Sequence, residues 1–356
     1  MSNKKILVAM SGGVDSAVAA KLMLDCGYDI GGITMKVWDD CHAVHDGDDQ
    51  TPDENCSDAA EIAQLLGIPH HIVSYGDTFR KCVIDNFLES YRLGLTPNPC
   101  VECNRTIKFG SLYRSSMELG YNGLATGHYA RIVKTPNGSL ELRQAADKNK
   151  DQTYFLWGID KSILKNIYFP LGELTKPEIR QMAAECGFSN AHRSDSQDIC
   201  FIKDGDYVSF LKNYGGELPC EGNFIDINGN VLGRHSGIVN YTVGQRKGLG
   251  VAFGVPMFVG SKNASDNTVT LCTDAQLYKN TLTAKHLNLL VDCDLSTPQR
   301  LLAKIRYRHT PAIATVFKSG EDELTVRFDE PQRAISPGQS VVLYDQDTVI
   351  GGGIIQ

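Results

Sequence analysis

The sequence predicts an α/β domain followed by two β-rich domains, the last of which is a β-barrel. In the first 130 residues, short apolar runs alternate with amphipathic segments in a strand–helix–strand order, which is typical of a parallel sheet covered by helices on both faces. After Tyr214, short alternating runs are separated by Gly, Asn and Asp, which favours antiparallel β structure. A chain of 356 residues has room for about two to three domains of ordinary size.

The predicted elements of the α/β domain follow one another closely. Strands are expected at residues 5–10, 30–37, 70–74 and 124–126, helices at 14–26, 57–66, 77–93 and 176–186, and a hairpin at 131–144. We place this domain at residues 1–205, a small central β-rich domain at 206–275 and the barrel at 276–356. The acidic stretch at 39–56 has no helical or strand period and is predicted to be a surface loop.

Composition and charge are those of a globular protein. Hydrophobic residues make up 42% and charged residues 22% of the chain, which is enough to form a buried core. The net charge of −7 argues against nucleic-acid binding through the overall field, so any RNA contact must rest on local basic patches. Eleven cysteines without regular spacing favour thiols in the cytoplasm over a secreted disulfide framework. No signal core or membrane helix is apparent, so no membrane partner is expected.

The first strand runs into the glycine loop Ser11-Gly12-Gly13-Val14-Asp15-Ser16. The two glycines let the backbone direct its amides outward, and the helix that follows adds positive potential at its N-terminus. The hydroxyls of Ser11 and Ser16 can donate to phosphate oxygens, whereas Asp15 is expected to hold a metal or to order the loop. The loop matches neither a Walker P-loop nor a dinucleotide-binding turn. We predict a pyrophosphate-binding loop rather than a plain glycine turn.

Three cysteines are candidates for sulfur chemistry. Cys100 and Cys103 lie in a proline-rich segment that we expect to be a loop just before a helix beginning near Asn104, where a thiol pKa is lowered. Cys200 lies 97 positions beyond Cys103, so only folding can bring the two together. Structural zinc is disfavoured because the chain has no second Cys-x-x-Cys pair.

No metal site is predicted elsewhere. Four residues that could bind a metal lie in or beside the acidic stretch: Cys41, His42, His45 and Cys56. Their irregular spacing indicates a chance grouping rather than a metal site.

Two levels of resemblance follow from these motifs. The glycine loop resembles that of the PP-loop ATPases, which split ATP between its α and β phosphates and adenylate their substrates. The chain as a whole resembles the tRNA-specific 2-thiouridylase family. The motifs that carry this resemblance, besides the glycine loop and Cys200, are Asn-Pro-x-x-x-Cys-Asn-x-x-Ile-Lys-Phe at 98–109, Ala-Thr-Gly-His-Tyr at 125–129, Lys-Asp-Gln at 150–152, Gly-Gln-Arg-Lys-Gly-Leu-Gly at 244–250, Arg-Tyr-Arg at 306–308 and Gly-Gly-Gly-Ile-Ile at 351–355.

The resemblance implies a sulfurtransferase that makes 2-thiouridine at the wobble position of the tRNAs for lysine, glutamate and glutamine. ATP, with Mg²⁺, would adenylate the uracil C2 oxygen, and sulfur would then displace AMP. Cys200 would carry a persulfide delivered by a cysteine desulfurase or a sulfur-relay protein. Cys103 would attack that persulfide, and a Cys103–Cys200 disulfide would result.

The resemblance also implies three sets of binding residues. The ATP contacts map onto Ala9, Met10, Ser11, Gly12, Gly13, Val14, Asp15, Ser16, Met35 and Gly127. The contacts near the target base map onto Asn98, Pro99, Cys100, Lys150, Asp151 and Gln152, and the tRNA contacts of the last domain onto Arg306 and Tyr307. Without the family, residues 150–152 would be interpreted as an exposed turn, residues 306–308 as one face of a strand, and His128 as a packed histidine.

One position departs from a form of the motif common in the family, where an aspartate follows Asn-Pro and is a candidate acid or base on the uracil. Cys100 stands there instead. A thiol can titrate in the useful range but is not an equivalent proton shuttle, so either Cys100 assists or water and another group move the proton.

Two other functions fit part of the sequence. An amide-forming PP-loop ligase, such as a tRNA lysidine or GMP synthetase, would keep the ATP loop and need neither cysteine. A non-catalytic RNA-binding adaptor would rest on the β-rich half and on the Arg306–Tyr307 region, and it would consume no ATP.

Overall fold

The computed structural model describes residues 4–37, 54–191, 199–202, 205–216, 220–250 and 254–356. The chain forms two compact units. The α/β unit comprises Met1–Cys82, Val101–Gln197 and Asp347–Val349, and the β-rich unit comprises Val83–Cys100, Asp198–Gln346 and Ile350–Gln356. The acidic stretch predicted as a loop lies outside the described residues up to residue 53, and a helix begins at Glu54.

Eight α-helical and seventeen strand elements are described. The helices are α1 Val14–Asp25, α2 Glu54–Leu66, α3 Gly76–Phe79, α4 Asp85–Arg92, α5 Pro99–Glu102, α6 Tyr113–Glu118, α7 Lys176–Glu185 and α8 Tyr207–Tyr214. The strands of the α/β unit are β1 Lys5–Ala9, β2 Asp29–Lys36, β3 His70–Ser74, β4 Gly123–Ala125, β5 Ala130–Lys134, β6 Leu140–Gln144 and β7 Ile167–Tyr168. The later strands are β8 Gly222–Ile225, β9 Val231–His235, β10 Phe258–Asn263, β11 Thr268–Cys272, β12 Tyr278–Leu289, β13 Gln299–Lys304, β14 Ala312–Gly320, β15 Glu323–Arg333, β16 Ser340–Asp345 and β17 Thr348–Ile355.

A five-stranded parallel sheet organises the α/β unit. Its strand order is β3-β2-β1-β4-β7, so the chain reverses direction across the sheet between β1 and β4. The central strand is apolar and fully covered, with Ile6, Leu7 and Val8 at 0% exposure. Helices α1, α2 and α7 contribute Val18, Ile62 and other side chains to the cluster that covers one face. The complete burial of β1 is what its continuous apolar run predicted.

A hairpin of β5 and β6 extends from the α/β unit. The two strands pair in antiparallel register from Ala130–Gln144 to Lys134–Leu140. The Arg131 guanidinium donates to the Asp347 carboxylate at 2.7 Å. The Gln144 backbone amide donates to the Asp347 backbone carbonyl at 2.8 Å. The predicted hairpin is therefore confirmed.

The β-rich unit contains a small sheet and a closed barrel. The small sheet has the order β10-β11-β8-β9, in which β11 and β8 run parallel. The barrel joins six strands in the order β12-β15-β14-β13-β16-β17, and pairing of β12 with β17 closes it. Alternate residues of each strand fill the interior, among them Ala314, Val316, Val326 and Val341 at 0% exposure. Closure removes free strand edges, and the predicted α/β plus β-barrel fold class is confirmed.

Two long helical runs contain wide turns. Residues Arg80–Ile84 form a π-helix between α3 and α4, so the helix expected at 77–93 is present with an altered middle. Residues Cys103–Leu112 form a second π-helix between α5 and α6. The prediction that a helix begins near Asn104 was wrong, because helical structure already begins at Pro99. A proline in the first turn needs no amide partner, which makes it a suitable start.

Candidate active site

The glycine loop lies at the carboxyl end of the central strand. Strand β1 ends at Ala9, which pairs with Ile33 of β2, and Met10 continues the pairing by donating its amide to the Ile33 carbonyl at 2.8 Å. Helix α1 begins at Val14. Because the strand order reverses beside β1, the loop stands at the switch point of the sheet, where α/β proteins bind their ligands.

The loop has the conformation of an anion-binding turn. Gly12 has φ 72°, in the left-handed region that favours glycine. Gly13 is the extended N-cap residue of α1, with φ −88° and ψ 160°, and no side chain caps the helix there. The N-terminal amides of a 12-residue helix therefore face the loop without a side-chain acceptor, an arrangement suited to phosphate oxygens.

Two side chains hold the loop in this shape. Ser16 is 6% exposed, and its hydroxyl donates to the Gly13 carbonyl at 2.9 Å and accepts the Ser11 amide at 3.1 Å. Its proton is thus used inside the loop, contrary to the expectation that it faces phosphate. Asn190 is also 6% exposed, and its Nδ2 donates to the Gly12 carbonyl at 2.7 Å. Nothing in the sequence motif indicated Asn190, which lies 178 positions away.

Asp15 is engaged by a cation and a phenol. Lys176 Nζ lies 2.7 Å from Asp15 Oδ1, with its side chain only 10% exposed. The Tyr129 hydroxyl donates to the same oxygen at 2.8 Å. Asp15 therefore orders the loop, one of the two roles expected for it. Sequence reasoning missed Lys176, because its position at the start of α7 carries no motif.

Gly127 packs directly on the first turn of α1. A Cβ added there would lie 2.9 Å from the Asp15 carbonyl carbon and 3.0 Å from the Ser16 amide nitrogen. Only glycine allows the residues after β4 to approach the loop this closely. Met35, on β2, pairs in register with Val73 and remains partly exposed.

His128 is a packed histidine, as expected. It is 8% exposed, and its Nδ1 is hydrogen-bonded to the Thr126 hydroxyl at 2.7 Å. Burial, assisted by the nearby Lys108 ammonium, lowers the pKa of His128 well below its ordinary value, so the ring is neutral. Lys108 Nζ lies 3.3 Å from its Nε2 and donates to it.

Cys103 opens the second π-helix and is partly exposed. The next residue, Asn104, is 3% exposed, and its Nδ2 donates to the Phe155 carbonyl at 3.2 Å. This bond joins the cysteine helix to the turn that follows the Lys-Asp-Gln segment. Since helical structure starts at Pro99, the positive potential of the helix N-terminus is centred on Cys100 rather than on Cys103.

The Lys-Asp-Gln segment is not the exposed turn that its composition alone suggested. Asp151 is 4% exposed, and its carboxylate accepts the Ala145 amide at 3.1 Å and the Thr153 hydroxyl at 2.7 Å. The Gln152 amide donates to the Tyr129 carbonyl at 3.0 Å, and the Tyr129 amide donates to Gln152 Oε1 at 2.9 Å. As Tyr129 also bonds Asp15, the segment is connected to the glycine loop. The carboxylate of Asp151 therefore holds the segment from inside.

The β-rich unit holds the remaining candidates. Cys200 is exposed, and the adjacent Phe201 is 6% exposed and packs edge-on against Phe87 with ring centroids 5.5 Å apart. Asn98 is half-buried and Pro99 is buried.

The Arg306–Tyr307 pair lies in a turn after β13, so the interpretation as a strand face was wrong. The Arg306 guanidinium donates to the Arg333 carbonyl at 2.9 Å, and Lys304 Nζ lies 5.5 Å from the centroid of the Tyr307 ring.

Two features are absent from the described part of the chain. No group of three or more His, Cys, Asp or Glu side chains there is arranged to hold a metal ion. Among the same residues, no helix has both the length and the apolar character needed to span a membrane.

Comparison with known proteins covers almost the whole chain. Three family models match: the tRNA methyl transferase HUP domain at residues 4–204, the tRNA methyl transferase PRC-barrel domain at 208–273 and the aminomethyltransferase beta-barrel domain at 279–355. The chain is 43% identical over 99% of both chains to the tRNA-specific 2-thiouridylase MnmA of Lachnoclostridium phytofermentans. It is 44% identical to that of Acetivibrio thermocellus, over 100% of both chains.

Likeness to solved structures is weaker. The U34-tRNA thiolase NcsA of Methanococcus maripaludis matches 61% of this chain and 69% of its own at 19% identity, with a TM-score of 0.35 that carries no functional argument. The assignment rests on the family models and on the full-length relatives. The chain belongs to the tRNA-specific 2-thiouridylase family.

Proposed function

We propose that this protein is an ATP-dependent sulfurtransferase that converts the wobble uridine of the tRNAs for lysine, glutamate and glutamine into 2-thiouridine. The observation that carries the proposal is the uncapped N-terminus of α1 behind the Ser11–Ser16 loop, at the switch point of the sheet. Full-length identity to relatives named tRNA-specific 2-thiouridylases supports the substrate and the reaction.

The glycine loop would receive the phosphates of ATP. The amides of Gly13 to Ser16 and the hydroxyl of Ser11, which is exposed, would bind them, while Ala9, Met10, Met35 and Gly127 would line the rest of the nucleotide site. The uracil C2 oxygen would attack the α phosphorus, and the bond to the β phosphate would break. Pyrophosphate would leave onto the helix N-terminus, where positive potential stabilises it.

Mg²⁺ would arrive with the nucleotide. Asp15 is the only carboxylate of the loop, and its Oδ1 already accepts bonds from Lys176 and Tyr129. Phosphate oxygens and water would therefore supply most of the metal ligands, which is the usual pattern for Mg²⁺ at ATP sites. Lys176, whose ammonium lies beside Asp15, would neutralise part of the phosphate charge.

Sulfur would move through the two cysteines. The Cys103 thiolate would attack Sγ of a Cys200 persulfide, forming a Cys103–Cys200 disulfide and releasing the terminal sulfur as hydrosulfide with the electron pair of the broken S–S bond. Hydrosulfide would attack C2 of the adenylated uracil, and AMP would leave with the oxygen. Two thiols are oxidised for each sulfur reduced, so a dithiol reductant must reopen the disulfide. A cysteine desulfurase or a sulfur-relay protein would supply the persulfide.

The target base would lie near Asn98, Pro99, Cys100, Lys150 and Gln152, with Asp151 holding the last two in place. Cys100, in the first turn of the helical run, is the candidate for proton transfer at the uracil, either directly or beside a water molecule. Arg306 and Tyr307 would contact the tRNA from the barrel.

The decisive assay supplies ATP, tRNA, cysteine and a cysteine desulfurase, and measures AMP, pyrophosphate and the mass of the wobble nucleoside. We expect tRNA-dependent AMP formation and a mass gain of one sulfur-for-oxygen exchange. Cys200→Ser and Cys103→Ser should abolish thiolation, whereas Cys26→Ser, which changes an exposed cysteine of α1's end, should not.

Other outcomes would identify the competing functions. ATP consumption that is indifferent to both cysteines would indicate an amide-forming ligase. RNA binding without AMP release would indicate an adaptor.

A further inference from the structure

The segment that leads into Cys100 has no regular structure of its own. Residues 95–98 lie between the end of α4 and the start of α5, outside helix and strand. Their backbone carbonyls and amides must therefore find partners elsewhere, since an unpaired buried polar group costs free energy. The Leu95 amide donates to the Ser90 carbonyl of α4 at 2.8 Å, and the barrel and the small central sheet of the same unit supply partners for the Leu95, Thr96 and Pro97 carbonyls and the Thr96 amide.

Gln339 of the barrel binds two consecutive carbonyls of this segment. Its Nε2 donates to the Thr96 carbonyl at 2.9 Å and to the Pro97 carbonyl at 3.3 Å. The side chain stands just before β16, separated by 243 positions from Thr96. One amide group thus spans the two peptide units before Asn98.

The turn that carries Gln339 also contacts the segment through its backbone. The Thr96 amide donates to the Pro337 carbonyl at 2.9 Å. Gly338 has φ +89°, and a Cβ placed on it would lie 2.9 Å from both the Leu95 Cβ and the Thr96 amide nitrogen. The turn at 337–339 is therefore fitted closely against the segment at 95–96.

Lys262 of β10 provides a third attachment. Its Nζ donates to the Leu95 carbonyl at 3.4 Å and to the Tyr241 carbonyl at 2.9 Å. The same ammonium lies 5.7 Å from the centroid of the Tyr91 ring, on α4. An ammonium with two carbonyl partners and an aromatic face is held in one place, and it holds the residue before Thr96.

We propose that Gln339 and Lys262 are positioning residues that fix the backbone of residues 95–98 and thereby the Asn98–Cys100 segment at the target base. The inference rests on the proposed thiolation reaction and goes beyond it, because it gives the two β-rich domains a part in positioning the target-base segment besides tRNA docking. Positioning matters because displacing a reacting group by about 1 Å can lower a rate about a hundredfold.

Three variants of the full-length protein test this. Gln339→Met and Lys262→Met each remove a donor while keeping side-chain length. Gln299→Met is the matched control, because the Gln299 amide donates to the Asp294 carbonyl at 3.0 Å within the barrel and not to the 95–98 segment. The measurements are kcat and KM for 2-thiouridine formation, thermal unfolding, and hydrogen exchange of the Thr96 amide without substrates.

We expect Thr96 exchange to rise about three- to tenfold in both Gln339→Met and Lys262→Met, the effect of losing one net hydrogen bond. Thiolation kcat should fall about tenfold while KM for ATP stays at the wild-type value, since the glycine loop is untouched. Gln299→Met should match wild type in both readouts.

Wild-type exchange and kcat in both variants would overturn the inference. If Gln339→Met does not fold, Lys262→Met decides alone. If the wild-type protein makes no 2-thiouridine, the proposed function fails. The exchange rates then decide separately whether the two side chains hold the segment.

Discussion

Substitution of Gly127 by alanine should damage ATP binding through one added methyl group. The new Cβ would lie 2.9 Å from the Asp15 carbonyl carbon, and 3.0 Å from the Asp15 oxygen and the Ser16 amide nitrogen. Favourable contacts between such atoms lie at about 3.5 Å or more. All three are backbone atoms of the first turn of α1, so the overlap is relieved only by moving the loop or β4.

The cost of such overpacking is about 1–3 kcal/mol. If the strain appears in nucleotide binding, Kd for ATP rises about 5- to 150-fold. The strain can weaken ATP binding or destabilise the free protein. Titration calorimetry with ATP measures the first loss, and urea unfolding of the free protein measures the second. The sum of the binding and unfolding losses should fall in the stated range.

The matched control is Gly76→Ala, at the start of α3. There the nearest atom to the new Cβ, Ser74 Oγ, is 4.0 Å away, so no loss is expected. If Gly127→Ala binds ATP and resists urea like wild type, then the close approach of Gly127 to α1 is not a feature of the protein in solution.

Four further predictions concern charges and hydrogen bonds. Lys176→Met should lower the free energy of unfolding by about 2 kcal/mol, because it leaves the Asp15 carboxylate without its buried partner 2.7 Å away; an unchanged urea midpoint would contradict this. Asp151→Asn should cost about 1–3 kcal/mol in unfolding, since the Ala145 amide and the Thr153 hydroxyl bond different carboxylate oxygens and an amide replaces one of these acceptors with an NH2 donor; a changed KM for tRNA at unchanged stability would instead indicate direct contact. Cys100→Asp should retain thiolation, and its inactivation would show that the thiol has a role of its own. Burial lowers the pKa of Lys262 from 10.5 to about 8, so between these pH values the unfolded chain binds more protons than the folded one. The unfolding free energy of the wild type should therefore rise by about 1.5 kcal/mol relative to Lys262→Met between about pH 8 and about pH 9.5. A difference between the two proteins that stays constant with pH would refute this.

Local sequence was sufficient for most of the fold. The apolar run of residues 6–8 predicted a central parallel strand, because a strand buried on both faces needs no polar alternation. The glycine loop was correctly placed between that strand and α1, since two glycines between a strand and a helix restrict the backbone strongly. The helix at 99–102 was missed because two prolines suggested a loop, although the second of them, Pro99, occupies a first turn without cost.

The site was predictable only where its residues are close in sequence. Composition and family resemblance predicted the Ser11–Ser16 loop and the Cys103 segment. Asn190 and Lys176, which hold the loop from 178 and 161 positions away, carried no motif, and Tyr129 lay in a motif that gave it no role. No local pattern encodes a long-range hydrogen bond. For the same reason, residues 150–152 without the family resemblance indicate only an exposed turn, whereas the Asp151 carboxylate is buried.

By itself, the sequence determined the strand–helix order, the β-rich second half, the position of the glycine loop and the family. These properties follow from periodicity, turn residues and motifs, which act over a few residues at a time. Only the tertiary structure decided how each motif is held. Ser16 uses its hydroxyl inside the loop, Asp15 pairs with Lys176, and Gln339 binds the carbonyls before Asn98. Such contacts depend on chain segments that meet only after folding, so burial and distance, rather than sequence spacing, decide them.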